Sequence, residues 1–567
     1  MLHRSDDERR SIEYQLVDAA PESPLSRPAR VRMRDGVHLA ADVYLPNGDE
    51  TPGDTILIRL PYDKSGEYTF IPLIAEYFMT HGYRVIAQDV RGKFRSEGQA
   101  LLFVNEARDG EDTLDWIINQ PWSNGRVAMW GDSYYGYTQW AAASTGHPAL
   151  KAIAPRVTGT GLGEPVQADP LDRTRAVEWG ITYLYPITHF HGRSTYLWEP
   201  DWSRRDFAAQ VEEFLAETGQ RPPSYDQWVP HVVRLPRFPA GDPFAGRSVP
   251  ALHTIGWWDN CAPLSWRDVE EIERRPGWAA HHYLRIESID HEAFQLLEAA
   301  EDRVAERSEA QIRAMLPRIL NPALDFFAVF VRGAGGPADI PRVSWNLAGT
   351  DGMRESESWP PAGTRDAVLF GGADRALGAA RPEHETRLEW IHDPADLVPS
   401  SADDAFSFLL ELPDEAPVGD RDDVLVFTTA PAKADVDLAG PARAVARVGS
   451  SGPVMDCFVR LLDVSPDGTA LRIARGQLQL RGEPEPGSGT GEETLEIDLG
   501  QLGYRLRAGH RLRVHVSSSD YPEFLPQPGT GADPWAWGPT ARNTQHLAVG
   551  GSAAFALHLT VLEGELP

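Results

Sequence analysis

Short, almost uninterrupted runs of apolar residues recur along the first half of the chain. They lie at residues 55–58 (TILI), 83–87 (YRVIA), 127–130 (VAMW), 250–256 (PALHTIG) and 282–286 (HYLRI). Runs of this length are typical of strands that are buried on both faces of a parallel sheet. Residues 71–78 and 111–118 lie between them and have a helical pattern. The alternation predicts an α/β fold with a mostly parallel sheet, preceded by a strand pair at 31–46.

The pattern changes twice in the rest of the chain. Residues 161–245 are rich in Trp, Tyr, His and Pro and have helical stretches such as 205–215, which predicts an inserted helical cap. The α/β pattern then resumes and closes with a helix predicted near 322–330. Short strands separated by Gly, Pro and Asp turns follow from about 345, as in a β-sandwich. The predicted domains are a core at 1–160 and 246–344, the cap at 161–245 and a C-terminal β-sandwich at 345–567.

Charge and cysteine content restrict the classes of partner. The formal net charge is −29, which argues against nucleic acid or an anionic membrane, because both are bound through excess Lys and Arg. No 18-residue apolar run suggests a transmembrane helix. The first ten residues have no apolar signal region, and the two cysteines form no CxxC pattern, so a cytoplasmic location is expected. The sequence is compatible with a homodimer.

One serine has the surroundings of an activated nucleophile. Ser133 lies in residues 131–136 (GDSYYG), after the strand pattern 127–130 and before a helical stretch at 137–143. A sharp turn between strand and helix is where the nucleophile of an α/β-hydrolase is found. The motif differs from the simple G-x-S-x-G elbow because position 135 is Tyr and the second glycine is Gly136. The strand and helix around it, more than the motif, identify Ser133 as the candidate.

Three ordered motifs resemble one known family. Residues 122–140 (WSNGRVAMWGDSYYGYTQW), 88–98 (QDVRGKFRSEG) and 59–64 (RLPYDK) are similar to segments of the CocE/NonD and X-Pro dipeptidyl-peptidase hydrolases. Residues 427–431 and 463–468 extend the resemblance into the C-terminal half. The resemblance implies an α/β-hydrolase core, a helical cap and a jelly-roll-like β-sandwich. It also implies a serine hydrolase that cleaves a carboxylic ester or amide.

The acid and the base are expected after later strands, in the order Ser, acid, His. Asp259 follows the strand 252–256, and its segment GWWD resembles the family's Gly-Trp-x-Asp. His291 follows the strand 282–286, although the preceding ESID departs from the family's usual Gly-Pro-Trp-x. Other candidate histidines, His253, His281 and His282, lie at or within strands, where a structural role is the better interpretation.

The oxyanion of acyl transfer needs hydrogen-bond donors. One donor is expected to be the backbone N–H that follows the nucleophile, which belongs to Tyr134. The resemblance implies that the second is the hydroxyl of Tyr62, in the Pro-Tyr motif.

Aromatic residues are the candidates for binding the substrate, and the predicted set consists of Trp179, Tyr185, Trp257 and Trp258. His189 and His191 have a spacing compatible with a metal, but no third ligand is evident, so neither a metal nor a cofactor is predicted. Asp89 and Arg91 are interpreted as a structural ion pair that braces the active-site loops.

Several functions remain open at the level of the sequence. The preferred one is hydrolysis of a small ester or amide. An X-prolyl dipeptidyl peptidase and a β-lactam-type amide acylase are alternatives within the enzymes. A non-catalytic carbohydrate-binding protein on a hydrolase scaffold is the alternative from another class.

Overall fold

A computed structural model of the chain describes residues 16–66, 69–163, 192, 194–195, 198, 200–227, 235–291, 308–350, 352–400, 413–482 and 489–567. The elements up to residue 356 are β1 (Leu16–Val17), β2 (Ser26–Arg32), β3 (His38–Tyr44), β4 (Gly53–Leu60), α1 (Ile71–Thr80), β5 (Arg84–Asp89), α2 (Glu106–Ile118), β6 (Ser123–Asp132), α3 (Ser133–Ala143), β7 (Leu150–Arg156), β8 (Ser194–Thr195), α4 (Phe207–Thr218), α5 (Pro223–Gln227), β9 (Ala251–Gly256), α6 (Ala262–Glu273), α7 (Pro276–Ala279), β10 (His282–Glu287), α8 (Glu309–Phe330), β11 (Val343–Trp345) and β12 (Arg354–Ser356). Within the described ranges there is no helix both long enough and apolar enough to cross a membrane.

A ten-stranded sheet forms the core, in the order β12-β11-β10-β9-β7-β6-β4-β5-β3-β2. Neighbouring strands from β5 through β11 run parallel, and β2, β3 and β12 add antiparallel pairing at the two edges. The central strands β4, β5 and β9 are buried along their whole length, as their apolar runs predict. The predicted α/β-hydrolase fold class is therefore confirmed, and the carboxyl ends of the parallel strands meet along one edge, where a site can form.

The C-terminal part consists of antiparallel strands. They are β13 (Arg365–Gly371), β14 (Leu377–Gly378), β15 (Thr386–His392), β16 (Leu425–Thr428), β17 (Val436–Ser450), β18 (Val454–Val464), β19 (Ala470–Arg481), β20 (Gly491–Leu506), β21 (Arg511–Ser517), β22 (Asn543–Val549) and β23 (Ala556–Glu563). They form a seven-stranded and a four-stranded sheet that share one apolar core, with side chains such as Leu438 and Leu461. Side chains from the inward faces of both sheets meet in this core.

The C-terminal domain contacts the other two predicted parts. Strands β11 and β12 continue the core sheet to Ser356, past the predicted boundary at 344, and between them the amide of Ala348 donates to the carbonyl of Gly503 at 2.6 Å, which joins the core sheet to β20. The hydroxyl of Tyr521 donates to the carbonyl of Trp202 at 2.7 Å, and the Arg205 guanidinium lies 4.3 Å from the centre of the Tyr521 ring. The described part of the segment 161–245 is therefore anchored to the β-sheet domain.

The last core helix is longer than its sequence predicts. It begins at Glu309, well before the predicted start at 322, and contains Pro317 and Pro322. Ser308 caps it and accepts a hydrogen bond from the backbone of Gln311, whose side chain returns to the cap in a capping box. Proline is unfavourable inside a helix, so the two prolines hide the helical pattern of this segment in the sequence. Packing of side chains such as Leu320 on the core stabilises the helix in spite of them.

Two buried histidines make the stability of the core depend on pH. His253 Nδ1 lies 3.3 Å from His282 Nε2 on the neighbouring strand, and burial lowers the pKa of His253 to about 4. The unfolded chain binds a proton there below its ordinary pKa of about 6.5, whereas the folded state stays neutral down to about pH 4, so stability falls as the pH decreases through this window. At pH 5.5 we expect the titration of His253 to lower the free energy of unfolding by about 1.4 kcal/mol relative to its value at neutral pH.

The test compares melting temperatures at pH 7.5 and 5.5. The decrease between the two pH values should be smaller in His253→Gln than in the unaltered protein. His384→Gln, at an exposed position, serves as the control and should leave the decrease unchanged. Equal decreases in all three proteins would contradict the prediction.

Candidate active site

The predicted nucleophile occupies a strained turn between β6 and α3. Strand β6 ends at Asp132 and the helix begins at Ser133, whose φ of 50° lies in the left-handed region. A non-glycine residue there costs of order 1–3 kcal/mol and is typical of functional sites. Arg156, at the end of β7, lies opposite Asp132 in the strand register and forms an ion pair with its carboxylate at 2.9 Å. This ion pair between neighbouring strands holds the start of the turn in place. The sequence pattern alone did not point to Arg156.

Two glycines explain the unusual spacing of the motif. Gly131 has φ 155°, and a Cβ there would lie 2.8 Å from the carbonyl oxygen of Tyr135. A Cβ on Gly136 would lie 2.6 Å from the methyl group of Thr158 and 3.1 Å from the carbonyl of Arg156. The second glycine is therefore needed at 136, where α3 lies close to the end of β7 and the segment after it, and position 135 accepts a tyrosine.

The structure brings Ser133, His291 and Asp259 into one hydrogen-bonded chain. His291 Nε2 lies 2.9 Å from Ser133 Oγ, and His291 Nδ1 lies 2.7 Å from Asp259 Oδ1. Asp259 follows β9 and His291 follows β10, and these two parallel neighbours direct both loops to the edge where β6 ends. A carboxylate that accepts from Nδ1 leaves Nε2 to accept the serine proton. The arrangement has the geometry of an activated nucleophile.

His291 has unusual electrostatic surroundings. Burial opposes its charged form, but the neighbouring Cys261 and the Asp259 carboxylate together raise the pKa of His291 well above its ordinary value. The backbone N–H of Cys261 donates to Asp259 Oδ1 at 3.0 Å, which holds the acid in place. The sequence analysis did not single out Cys261. Its position two residues after Asp259, in the same turn, is the signal that could have identified it as a neighbour of the site.

Tyr134 contributes a backbone amide to the site and a side chain to the core. Its N–H belongs to the first turn of α3, where amides have no acceptor within the helix. Its phenol is fully buried, donates to Glu106 Oε1 at 2.8 Å and accepts from the Phe103 amide at 2.7 Å. Glu106 in turn pairs with buried Arg59 at 3.0 Å. The side chain therefore anchors the helix, and only the amide is available for an oxyanion.

Tyr62 lies at the same edge of the sheet. It follows β4, the neighbour of β6, and its ring stands edge-on to that of Tyr135 with 6.3 Å between the centroids. Tyr62 comes two residues after the end of β4. Only 8% of the residue is exposed, so its ring packs in the core. The ring therefore lies beside the elbow, and the role of its hydroxyl stays a prediction.

The two tryptophans next to Asp259 pack toward the C-terminal domain. The indole N–H of Trp257 donates to the carbonyl of Asn346 at 2.7 Å, and its ring packs against Trp359 and Gly503. The structure thus gives Trp257 a place at the boundary between the core sheet and the C-terminal domain, and its contact with substrate stays a prediction. Trp258 donates to Ser288 Oγ at 3.2 Å and remains a candidate for substrate binding.

Four of the other predicted residues, Trp179, Tyr185, His189 and His191, lie outside the described residues.

The predicted ion pair between Asp89 and Arg91 is wrong. Arg91 binds the carboxylate of Asp109 in two hydrogen bonds of 2.9 and 2.6 Å and also pairs with Asp35 at 2.8 Å. Asp89 accepts from the backbone of Lys64 at 3.2 Å, and the Lys64 ammonium lies 3.7 Å from it. The chain turns after β5, so the two side chains diverge and meet partners that are distant in sequence.

Comparison with known proteins agrees with this fold. Residues 35–291 match the family model of the X-Pro dipeptidyl-peptidase (S15 family), and residues 336–552 match that of the X-Pro dipeptidyl-peptidase C-terminal non-catalytic domain. Cocaine esterase of Rhodococcus sp. (strain MB1 Bresler) is 30% identical over 547 residues, covering 88% of this chain and 92% of that protein.

Two solved structures share the fold over nearly the whole chain. An aminopeptidase from a marine sediment archaeon (Thaumarchaeota archaeon) has a TM-score of 0.77 at 21% identity, covering 99% of this chain and 100% of the other. An α-amino acid ester hydrolase has a TM-score of 0.76 at 23% identity, covering 94% and 96%. The chain belongs to the CocE/NonD family of serine hydrolases, enzymes that act on ester or amide bonds.

Proposed function

We propose that this protein hydrolyses small carboxylic esters through an acyl-enzyme on Ser133. The observation that carries the proposal is the hydrogen-bonded chain from Ser133 Oγ through His291 to Asp259, at 2.9 and 2.7 Å. A serine hydroxyl is a weak nucleophile unless a base lies beside it, and this geometry supplies the base and a carboxylate that orients it.

The proposed reaction has two half-steps. His291 Nε2 accepts the proton of Ser133 while Oγ attacks the carbonyl carbon, and the resulting oxyanion is stabilised by the amide of Tyr134 and the hydroxyl of Tyr62. The imidazolium, held by Asp259, returns the proton to the leaving alcohol, and the acyl group stays on Oγ. Water, deprotonated by His291, then releases the carboxylic acid and restores the serine.

Two candidate substrates follow from the relatives. An ester is preferred because cocaine esterase is similar over nearly the full length of the chain. Hydrolysis of an X-prolyl amide is the second candidate, favoured by the names of the two matching family models. A non-catalytic carbohydrate-binding protein is disfavoured, since such a role would need no aligned base beside Ser133.

A panel of p-nitrophenyl esters and aminoacyl p-nitroanilides distinguishes the candidates. We expect short-chain esters to be hydrolysed far faster than anilides of any amino acid. Activity confined to the anilides, and in particular to those of X-Pro dipeptides, would overturn the preference for esters.

The net charge and the state of the cysteines support two further proposals, on the class of substrate and on the location of the protein. The net charge of −29 favours a small-molecule substrate over nucleic acid or an anionic membrane surface. A cytoplasmic location is proposed because Cys261 and Cys457 are not joined in a disulfide.

Tyr62→Phe tests the proposed second oxyanion donor. Removing one such donor costs about 10²–10³-fold in kcat, because the bond strengthens as the oxyanion develops. We expect KM for p-nitrophenyl acetate to change little. Tyr83→Phe is a matched control, since that tyrosine is buried and its hydroxyl has no hydrogen-bond partner among the described residues. Equal kcat values for Tyr62→Phe and Tyr83→Phe would contradict the role of Tyr62.

A further inference from the structure

Three different metal-ligating side chains converge beside the nucleophile. Asp259 lies in the turn after β9, Cys261 immediately before α6 and His291 after β10. One carboxylate oxygen, the thiol sulfur and one imidazole nitrogen lie within 4.8 Å of one another. Asp259 and Cys261 are buried and His291 is largely so. The described catalysis uses the carboxylate and the imidazole but assigns no role to the thiol.

The carboxylate also has acceptor capacity that the proposed chemistry does not use. Asp259 Oδ1 accepts from His291 and from the Cys261 amide. Asp259 Oδ2 is buried and has no hydrogen-bond partner among the residues that the structure describes. A buried carboxylate oxygen without a partner is costly, and a cation is one way to satisfy it.

The ligand types select the cation. Thiolate, imidazole and carboxylate together suit zinc, which binds sulfur at about 2.3 Å and nitrogen or oxygen at about 2.0–2.2 Å, whereas magnesium and calcium prefer oxygen alone. A tetrahedral ion with such bonds separates its ligands by roughly 3.3–3.8 Å, so small side-chain movements from the present spacing are enough. Three protein ligands leave one position of a tetrahedral ion for water.

We propose that Asp259, Cys261 and His291 form a binding site for a thiophilic divalent cation such as Zn²⁺, and that its occupation inhibits the hydrolase. Binding at His291 Nδ1 releases the Cys261 thiol proton to solvent, shifts the imidazole proton from Nδ1 to Nε2 and forms sulfur–metal and nitrogen–metal bonds, with no change of oxidation state. The cation then occupies the carboxylate that orients His291, and the proton on Nε2 prevents the imidazole from accepting the proton of Ser133. The inhibitory consequence rests on the proposed function, whereas the binding itself does not.

Inhibition is tested by titrating the full-length enzyme with Zn²⁺ in a p-nitrophenyl acetate assay. We expect micromolar Zn²⁺ to abolish hydrolysis and EDTA to restore it. Cys261→Ser and Cys261→Ala should each raise the half-inhibiting Zn²⁺ concentration at least about 10-fold, compared with the metal-free rate of the same variant. Cys457→Ser, at a buried cysteine of the C-terminal domain, should keep the unaltered sensitivity. Inhibition that is equal in all four proteins would overturn the proposal.

Binding is tested separately on the Ser133→Ala protein with Cd²⁺. A cadmium–thiolate bond absorbs in the ultraviolet, so one equivalent of Cd²⁺ should produce this band with Ser133→Ala but not with Ser133→Ala/Cys261→Ser. Absence of the band in the first protein would overturn the metal site whatever the substrate proves to be. A band without loss of ester hydrolysis in the unaltered enzyme would overturn the inhibition.

Discussion

The Ser133→Ala protein is expected to hydrolyse p-nitrophenyl acetate with a kcat about 10⁴–10⁶-fold lower than the unaltered enzyme. Alanine removes Oγ, the atom that gives its proton to His291 Nε2 and attacks the carbonyl carbon in the proposed reaction, so no acyl-enzyme can form. Alanine fits the backbone as serine does, because both have a Cβ at the strained φ of 50°. Substrate binding and folding should therefore persist, and the residual rate should come from oxyanion stabilisation alone.

Release of p-nitrophenolate measures this loss, and Ser144→Ala provides a matched control. Ser144 follows the same helix, is buried and donates to the carbonyl of Ala141. We expect Ser144→Ala to retain a kcat close to that of the unaltered enzyme, with any effect confined to stability. Hydrolysis by Ser133→Ala at the unaltered rate would refute the assignment of the nucleophile.

Asp259→Asn should lower kcat by about 10⁴-fold without unfolding the protein. The carboxamide matches the carboxylate in shape but has no negative charge with which to stabilise the imidazolium. Where its NH₂ group takes the place of Oδ1, it donates to His291 Nδ1 at the expense of the bond from the Cys261 amide, and so places the imidazole proton on Nε2, facing Ser133. The base would then be unable to accept the serine proton.

A double variant distinguishes one catalytic unit from independent contributions. Ser133→Ala/Asp259→Asn should be no slower than Ser133→Ala, because residues that act as a unit have strongly non-additive effects. Losses that multiply would show that Asp259 acts independently of the Ser133–His291 chain. An unaltered rate in the single Asp259→Asn protein would exclude its role as the orienting acid.

Local patterns were sufficient to predict the core and the order of the site. The run 127–130 lies within β6, and Ser133 begins the helix that follows, as the strand–turn–helix pattern indicates. Asp259 and His291 follow strands whose apolar runs are continuous, so parallel pairing brings their loops to one edge. These features depend on burial within a few residues, which the sequence expresses directly.

Features that depend on tertiary contacts were not predictable in this way. Arg91 pairs with Asp109 and with Asp35, which lies 56 residues away, and a sequence read locally suggests Asp89 instead. Trp257 turns toward Gly503 of the C-terminal domain, because packing decides which side of a loop a ring occupies. The departure from the family motif before His291 does not prevent its imidazole from reaching Ser133.

Reaction with a fluorophosphonate, followed by digestion and peptide mass spectrometry, locates the reactive serine covalently. We expect a single adduct, on the peptide that contains Ser133, formed in proportion to the loss of ester hydrolysis. The Ser133→Ala protein should remain unlabelled. An adduct on another residue, or undiminished hydrolysis after complete labelling of Ser133, would contradict the proposal that this enzyme works through an acyl-enzyme on Ser133.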